Sequence, residues 1–230
     1  MKGFNLNIIG LIKCSVLFFA LILLPLKAET LTQNTTISVG DYTYIDDLIV
    51  PSGVTLTIDA GAVLRFSASR KLRVKDGGKL FVNGTEAEPV VFTSNGLAVN
   101  SWYGLYFEGA RADDSEIVID HAIIEYADKA LFTNRPGVKV KVTNSTVRHS
   151  NYGVFVDAAY NSAPNHPNIT FKNGALYSNA KYNYYTKNFY GTTITTIDAT
   201  GNWWGSSQLP VIGQSIYDLV DSSNRASLNF

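Results

Sequence analysis

The chain has 230 residues, of which 46% are hydrophobic, and its basic and acidic side chains are equal in number. The charged residues form no basic block, so we expect no nucleic-acid partner. Cys14 is the only cysteine, which excludes a disulfide-stapled scaffold and a thiolate metal site. The length suffices for one domain with its own hydrophobic core.

Residues 1–28 have the pattern of a secretory signal peptide. Lys2 and Lys13 accompany the apolar run SVLFFALILLPL, and Ala28 offers a small residue at the cleavage point. The run is about a dozen residues long, shorter than the roughly 20 that cross a bilayer. We therefore expect cleavage, no remaining membrane span, and a protein that is secreted, periplasmic or at the cell surface. Cleavage also removes Cys14 and leaves 16 basic and 19 acidic side chains.

The stretch GVTLTIDAGAVLRF, residues 53–66, alternates apolar and polar side chains over about twice the usual strand length. We predict two strands, VTLTI and AVLRF, that meet at a corner, because Asp59, Ala60 and Gly61 need only bend the chain. Residues 29–50 match this pattern less well, and we predict that they form an N-terminal cap with the first strands.

The middle of the chain repeats itself in residues 118–133, 141–156 and 170–185. The offsets are 23 and 29 residues, and earlier offsets of 24 and 25 relate Ile58 to Val82 and Val82 to Phe107. Short strands that repeat every 20–30 residues or so indicate a solenoid. The aligned inward columns are Ile119, Val142 and Phe171; Ile124, Val147 and Leu176; and Leu131 with Val154.

We predict an all-β fold, a single-stranded right-handed parallel β-helix of about seven to eight turns over residues 51–205. Residues 206–230 are predicted to be a C-terminal cap that includes one short helix. A β-sandwich or jelly roll is the alternative, since Asn-Gly pairs typical of hairpins follow several strands. In-register repeats favour the solenoid.

The sequence resembles the right-handed parallel β-helix repeat proteins of bacteria over about residues 44–220. The matching stretches are IVPSGVTLTIDAGAVLRF, GKLFVNGTEAEPVVFTS, WYGLYFEG, IIEYAD and ATGNWWG. The resemblance implies the fold but not one activity, because the family includes polysaccharide lyases, hydrolases, epimerases, adhesins and surface proteins. Its lyase members hold substrate and calcium on one sheet face with clustered acidic and basic residues.

Asparagines fall in register at one predicted corner. Asn144 and Asn173 share a column with His121, and asparagine tolerates the left-handed backbone that a tight corner requires. We interpret Asn144 and Asn173 as a structural ladder. In the next turn either Asn202 or Ala199 continues the column, depending on the alignment.

A second outward column is the weak candidate for catalysis. It contains Glu125, Arg148 and Tyr177, and Lys172 lies in a neighbouring column. In an enzyme acting on an acidic polysaccharide, the cations would bind the sugar carboxylate while Glu125 or Tyr177 moves a proton. The alternative is an exposed ion pair worth under about 1 kcal/mol.

We expect no cofactor and no metal site in a non-catalytic protein. Ca²⁺ enters only under the enzyme alternative, and it requires six to eight oxygen ligands. Asp113, Asp114 and Glu116 are the only local cluster of carboxylates. The three histidines show no spacing typical of a triad or a metal site.

Aromatic residues are dense between residues 177 and 204. Alternation cannot bury both of two adjacent rings, so some of these side chains must face solvent, where flat rings suit the apolar faces of sugars. The alternatives are an external aromatic ladder or a cover over the last turn. The glycan-binding candidates are Tyr182, Tyr184, Tyr185, Tyr190, Trp203 and Trp204.

These features favour a secreted, non-catalytic module that binds an extracellular polysaccharide or cell-surface glycan, or that serves as a surface scaffold or adhesin. A lyase, hydrolase or epimerase acting on an acidic polysaccharide is the alternative. Ice binding would require longer outward threonine ladders than Thr55 and Thr57 provide.

Overall fold

A computed structural model describes residues 29–108, 117–159 and 165–230. The expected signal peptide with Cys14, and the carboxylates of Asp113, Asp114 and Glu116, lie outside the described residues.

The described chain is built almost entirely of short strands, with one helix near its C-terminal end. In chain order the elements are β1 (Glu29–Thr30), β2 (Thr35–Ile37), β3 (Gly40–Tyr44), β4 (Leu48–Val50), β5 (Thr55–Asp59), β6 (Ala62–Phe66), β7 (Lys71–Val74), β8 (Lys79–Asn83), β9 (Val90–Ser94), β10 (Gly104–Phe107), β11 (Ile117–Asp120), β12 (Ala122–Glu125), β13 (Lys129–Thr133), β14 (Lys139–Thr143), β15 (Thr146–Arg148), β16 (Tyr152–Asp157), β17 (Asn168–Lys172), β18 (Ala175–Tyr177), β19 (Tyr182–Lys187), β20 (Thr196–Asp198), α1 (Leu209–Gln214), β21 (Ile216–Tyr217) and β22 (Ser227–Asn229).

From β1 to β19 every third strand belongs to the same sheet, and neighbouring strands are parallel throughout. After β19, β21 joins the first sheet, while β20 and β22 form a separate parallel pair. Sheet I has eight strands, in the order β1-β4-β7-β10-β13-β16-β19-β21. Sheet II runs from β2 to β17 and sheet III from β3 to β18, with six strands each. Within the described ranges, six turns therefore carry all three strands, and partial turns flank them. This arrangement confirms the predicted right-handed parallel β-helix.

The stretch at residues 53–66 forms two strands that meet at a corner, as predicted. β5 belongs to sheet II and β6 to sheet III, with Ala60 and Gly61 between them. Gly61 has φ 75°, a backbone conformation that is cheap for glycine and costly for residues with a Cβ. The corner turns the chain from one sheet to the next without reversing it.

The register confirms most of the predicted columns. Ile119, Val142 and Phe171 are neighbours on sheet II, and sheet III aligns the column that begins with Ile124. One predicted offset is wrong, because Val82 pairs with Ile119 and not with Phe107. Phe107 lies on sheet I beside Val74, and Val82 is separated from its partner Ile119 by 37 residues, so an offset of 25 does not give the register of this turn.

The interior is filled by the inward side chains of all three sheets. β5 buries Leu56 and Ile58, and its other side chains remain partly accessible. Three interior rings form a stack through successive turns, with Phe66 between Tyr44 and Trp102 at centroid distances of 5.1 and 4.7 Å. Full burial of one such side chain is worth about 1.5–3 kcal/mol.

The corner between sheets II and III holds the two predicted ladder asparagines. Asn144 and Asn173 have φ 51° and 55°, and His121 before them has φ 49°. The Asn144 amide donates to Asp120 Oδ1 at 2.8 Å. Neither proposed continuation is correct, because the Asn173 N–H bonds to the Thr200 carbonyl and so places Gly201 at the ladder position.

The two terminal segments also join the coil. Residues 29–50 supply β1 to β4, and residues 206–230 supply α1, β21 and β22. The latter segment contains the short helix that we expected. No helix among the described residues has both the length and the apolar character needed to cross a membrane.

Candidate functional site

Sheet I carries a continuous row of aromatic side chains on its outer face. Five consecutive turns place a ring at the same strand position, and the parallel register joins these rings in one column. Three further tyrosines pack beside the column. We call the set the aromatic ladder, and its members are Tyr103, Tyr106, Phe132, Tyr152, Phe155, Tyr182, Tyr185 and Tyr217.

The rings of the aromatic ladder pack on one another. Tyr106 and Phe132 are stacked with centroids 5.0 Å apart, and Tyr185 and Tyr217 are stacked at 5.2 Å with their planes 13° apart. Phe155 meets Phe132 edge to face at 5.5 Å. Such pairs contribute about 0.5–1.5 kcal/mol beyond the burial of area, so the contacts hold the surface in one arrangement.

Tyrosine provides the accessible part of the aromatic ladder. Phe132 and Phe155 are buried beneath their neighbours, whereas all six tyrosines are half-buried. Burial raises the pKa of the Tyr103 and Tyr185 phenols above the ordinary value. These hydroxyls are therefore neutral at physiological pH and can both donate and accept hydrogen bonds.

An open groove of about 600 Å³ lies at the N-terminal end of the aromatic ladder. Its lining includes Arg73, Glu108 and Arg135, and Arg73 lies beside Tyr106 in the register of sheet I. Two nitrogens of Arg73 donate to the Glu108 carboxylate at 2.7 Å each. Burial alone would raise the pKa of Glu108, but the hydrogen bonds and charge of Arg73 outweigh it, and the pKa lies below its usual value.

The six aromatic residues predicted to bind glycan lie in different environments in the structure. Tyr182 and Tyr185 belong to the aromatic ladder. Trp203 is exposed, but it pairs with Ala175 at the end of sheet III. Tyr190 is exposed in the segment after β19.

The inclusion of Tyr184 and Trp204 among the glycan contacts must be corrected. Tyr184 points inward because it alternates with Tyr185, and its hydroxyl donates to the Ile169 carbonyl inside the coil. Trp204 is buried beside Phe230, with ring centroids 5.8 Å apart. Neither ring offers a face to an external ligand.

Glu125, Arg148 and Tyr177 are brought together on the outer face of sheet III, as their column predicted. Arg148 Nε donates to Glu125 at 2.9 Å, and its Nη1 donates to the Tyr177 hydroxyl at 3.3 Å. Thr93 donates a further hydrogen bond to the Glu125 carboxylate. The hydrogen bonds that Arg148 donates to Tyr177 and Glu125 raise the pKa of its guanidinium. These groups bind one another, and they stand on a different sheet from the aromatic ladder.

Lys172, the fourth weak catalytic candidate, lies on sheet II and not with the other three. Its ammonium pairs with Asp198 at 2.8 Å. The described part of the chain contains no group of three histidine, cysteine or acidic side chains arranged to hold a metal ion.

Comparison with known proteins agrees with this architecture. Residues 29–126 match a family model described as a pectate-lyase-like β-helix domain. The chain is a parallel β-helix repeat protein. Comparison of this β-helix protein with curated proteins and with solved structures gives no match.

Most of the aromatic ladder of this β-helix protein escapes sequence reasoning. The dense cluster after residue 176 draws attention to Tyr182 and Tyr185, while the other members are spread over more than 100 residues. The sequence does contain one signal for this surface. Phe132 and Phe155 directly follow Leu131 and Val154, which align as an inward column, so alternation predicts an outward column at the next position. The members that were missed are Tyr103, Tyr106, Phe132, Tyr152, Phe155 and Tyr217.

Proposed function

We propose that this protein is a secreted, non-catalytic β-helix module that binds an extracellular polysaccharide or cell-surface glycan across the aromatic ladder. The observation that carries the proposal is the ladder itself, a preformed outward surface that spans five turns. Partly accessible tyrosines combine apolar ring area with neutral hydroxyls. Sugars likewise have apolar faces and hydroxyl groups, so the two surfaces are chemically complementary. The match of residues 29–126 to a pectate-lyase-like domain supports a polysaccharide ligand.

The geometry suits an extended ligand. Neighbouring parallel strands lie about 4.8 Å apart, so five turns present a surface of about 20 Å along the coil axis. A linear glycan lying along this axis would contact several tyrosines at once. A surface scaffold or adhesin would use the same rigid face to hold two glycan-bearing surfaces together.

The extracellular location of the module is supported by the signal-peptide pattern of residues 1–28. Fractionation of cells that express the full chain, followed by mass spectrometry of the mature N-terminus, tests it. We expect the protein outside the cytoplasm and a first residue close to Glu29. Full-length protein retained in the cytoplasm would contradict the proposed location.

Binding is tested by affinity electrophoresis against a panel of neutral and acidic polysaccharides. We expect retention by at least one glycan, and a loss of about tenfold in affinity, equal to about 1.4 kcal/mol, in Tyr182→Ala and Tyr217→Ala. Phe81→Ala is the matched control, because Phe81 is an outward, half-buried ring on sheet II. An equal loss in the control, or no retention of the parent protein by any glycan, would overturn the proposal.

The family match also favours a second candidate, a polysaccharide lyase, hydrolase or epimerase that uses Glu125, Arg148, Lys172 and Tyr177. Assays for unsaturated and reducing ends, with and without Ca²⁺, separate this candidate from a binding module. Turnover that disappears in Arg148→Ala but persists in Arg65→Ala would establish the enzyme. Binding without turnover supports the module.

A further inference from the structure

We infer that the aromatic ladder selects anionic glycans, and that Lys181 and Arg225 bind their acidic substituents. The inference rests on the proposed function, which it deepens by naming the ligand class and two specificity-determining residues. It begins with the positions of the two cations. Lys181 Nζ lies 5.0 Å from the centroid of the Tyr152 ring, and the Arg225 guanidinium lies 4.8 Å from that of Tyr217.

The two cations flank one tyrosine of the aromatic ladder. Tyr182 packs against Tyr152 on one side and Tyr217 on the other, at centroid distances of 6.3 and 5.3 Å. A sugar that rests over Tyr182 therefore has Lys181 near one edge and Arg225 near the other. A carboxylate or sulfate on that sugar, or on its neighbour, comes within reach of a positive charge.

Other cations of this face already have carboxylate partners. Lys71 pairs with Asp47 at 3.5 Å, and Lys129 pairs with Asp128 at 2.5 Å. Arg73 holds Glu108 in the groove. These ion pairs are part of the surface, and their charges are largely compensated within the protein.

Lys181 and Arg225 differ from these residues. Within the described ranges, neither has a carboxylate oxygen within 4.0 Å of its charged nitrogens. The charge of Lys181 contributes to lowering the pKa of Asp128, but that carboxylate is held by hydrogen bonds from Lys129 and from the Asn151 amide. Arg225 donates from Nη1 to the Asn224 carbonyl, and among the described residues its Nη2 donates no hydrogen bond to the protein. Both cations thus keep capacity for an external anion.

The positive character of this site is local. After residue 28 the chain has 16 basic and 19 acidic side chains, so a polyanion would not be attracted by net charge. Recognition would depend on the placement of the two cations beside the rings, where partial desolvation strengthens an ion pair.

Dextran, carboxymethyl-dextran and dextran sulfate test the inference, because they share one backbone and differ in charge. We expect the parent protein to bind one or both charged forms at least about tenfold more tightly than dextran, by about 1.4 kcal/mol. The two charged arms distinguish a carboxylate from a sulfate. Affinity for the preferred form should fall as salt is raised.

The double variant Lys181→Gln/Arg225→Gln should lose most of this preference. Lys139→Gln/Lys141→Gln is the matched control, since both lysines are exposed on sheet II and form no ion pair among the described residues. Arg225→Lys keeps the charge and should retain part of the preference. Thermal melting of each variant tests whether the packing of Arg225 on its neighbouring rings is required for folding.

The outcomes separate this inference from the proposed function. Equal affinity for charged and uncharged dextran, or equal losses in the double variant and its control, would overturn the anionic selectivity. If Tyr182→Ala still abolishes binding of a neutral glycan, the aromatic ladder stands as a glycan site without that selectivity. No binding to any polysaccharide overturns both.

Discussion

Two aromatic stacks run along this β-helix, one inside the coil and one outside it. The inner stack of Tyr44, Phe66 and Trp102 is almost completely buried, and the Trp102 indole donates to the Glu125 carbonyl at 2.7 Å. The outer stack is the aromatic ladder on sheet I. Both arise because parallel turns place the same strand position of each turn in one column.

The two stacks differ in their exposure to solvent. Inside, each ring replaces water with packed side chains on every side, so its contribution is to stability. Outside, Phe132 and Phe155 are buried by their own neighbours, while tyrosines and cations remain in contact with water. Stacking thus builds the core in one place and a preformed surface in the other. The following predictions test that division, beginning with the largest effect.

Phe66→Ala should cost about 3–5 kcal/mol in the free energy of unfolding, because it removes the middle ring of the inner stack and leaves a cavity. Urea unfolding followed by circular dichroism measures the loss. Phe81→Ala, at an outward position of sheet II, should cost much less. Equal losses would show that the inner stack is not part of the stabilising core.

Arg148→Ala should destabilise the protein by about 2 kcal/mol, because the buried Glu125 carboxylate loses its charged partner. Arg65→Ala serves as the control. Its partner Asp41 is largely exposed, so the ion pair contributes under about 1 kcal/mol. If the two variants lose the same stability, the Glu125 network is an ordinary surface pair.

Tyr185→Ala should cost about 2 kcal/mol of stability, because its half-buried ring packs on Phe155 and Tyr217, and it should also cost most of the glycan affinity. Thermal melting and affinity electrophoresis on the same sample give both numbers. A large loss of stability without loss of binding would make the outer stack a second structural element only.

Lowering the pH should weaken the Arg73–Glu108 pair at the groove. The pKa of Glu108 is lowered in the folded state, so the pair's contribution is complete above the unfolded pKa of about 4.3. It is lost as the pH falls through the lower folded value. The contribution is under about 1 kcal/mol. Arg73→Gln should therefore reduce the difference in unfolding free energy between pH 7 and pH 3, and an unchanged difference would contradict this assignment.

The sequence predicted the architecture because a solenoid repeats its own pattern. Inward columns such as Ile124, Val147 and Leu176 recur at offsets that can be read from the residue types alone. The prediction was wrong for Phe107, because loop length is not encoded in strand alternation. It was also wrong for the ladder continuation, where Gly201 and not Asn202 or Ala199 follows Asn173.

The candidate site was harder to predict than the fold. Alternation correctly implies that only one of Tyr184 and Tyr185 faces outward, but it cannot say which without the position of the corner. The aromatic ladder draws its rings from five turns, and the cation Arg225 follows the last of these strands. This surface forms only when successive turns of the coil stack on one another, so no local sequence motif predicts it.

Hydroxyl-radical footprinting of the tyrosines, with and without the polysaccharide that the protein retains, tests the central claim most directly. The account predicts that bound glycan protects Tyr152, Tyr182 and Tyr217 from oxidation while Tyr177 on sheet III and Tyr126, directly after β12, react as before. Protection of Tyr126 and Tyr177, with the aromatic ladder unchanged, would contradict it.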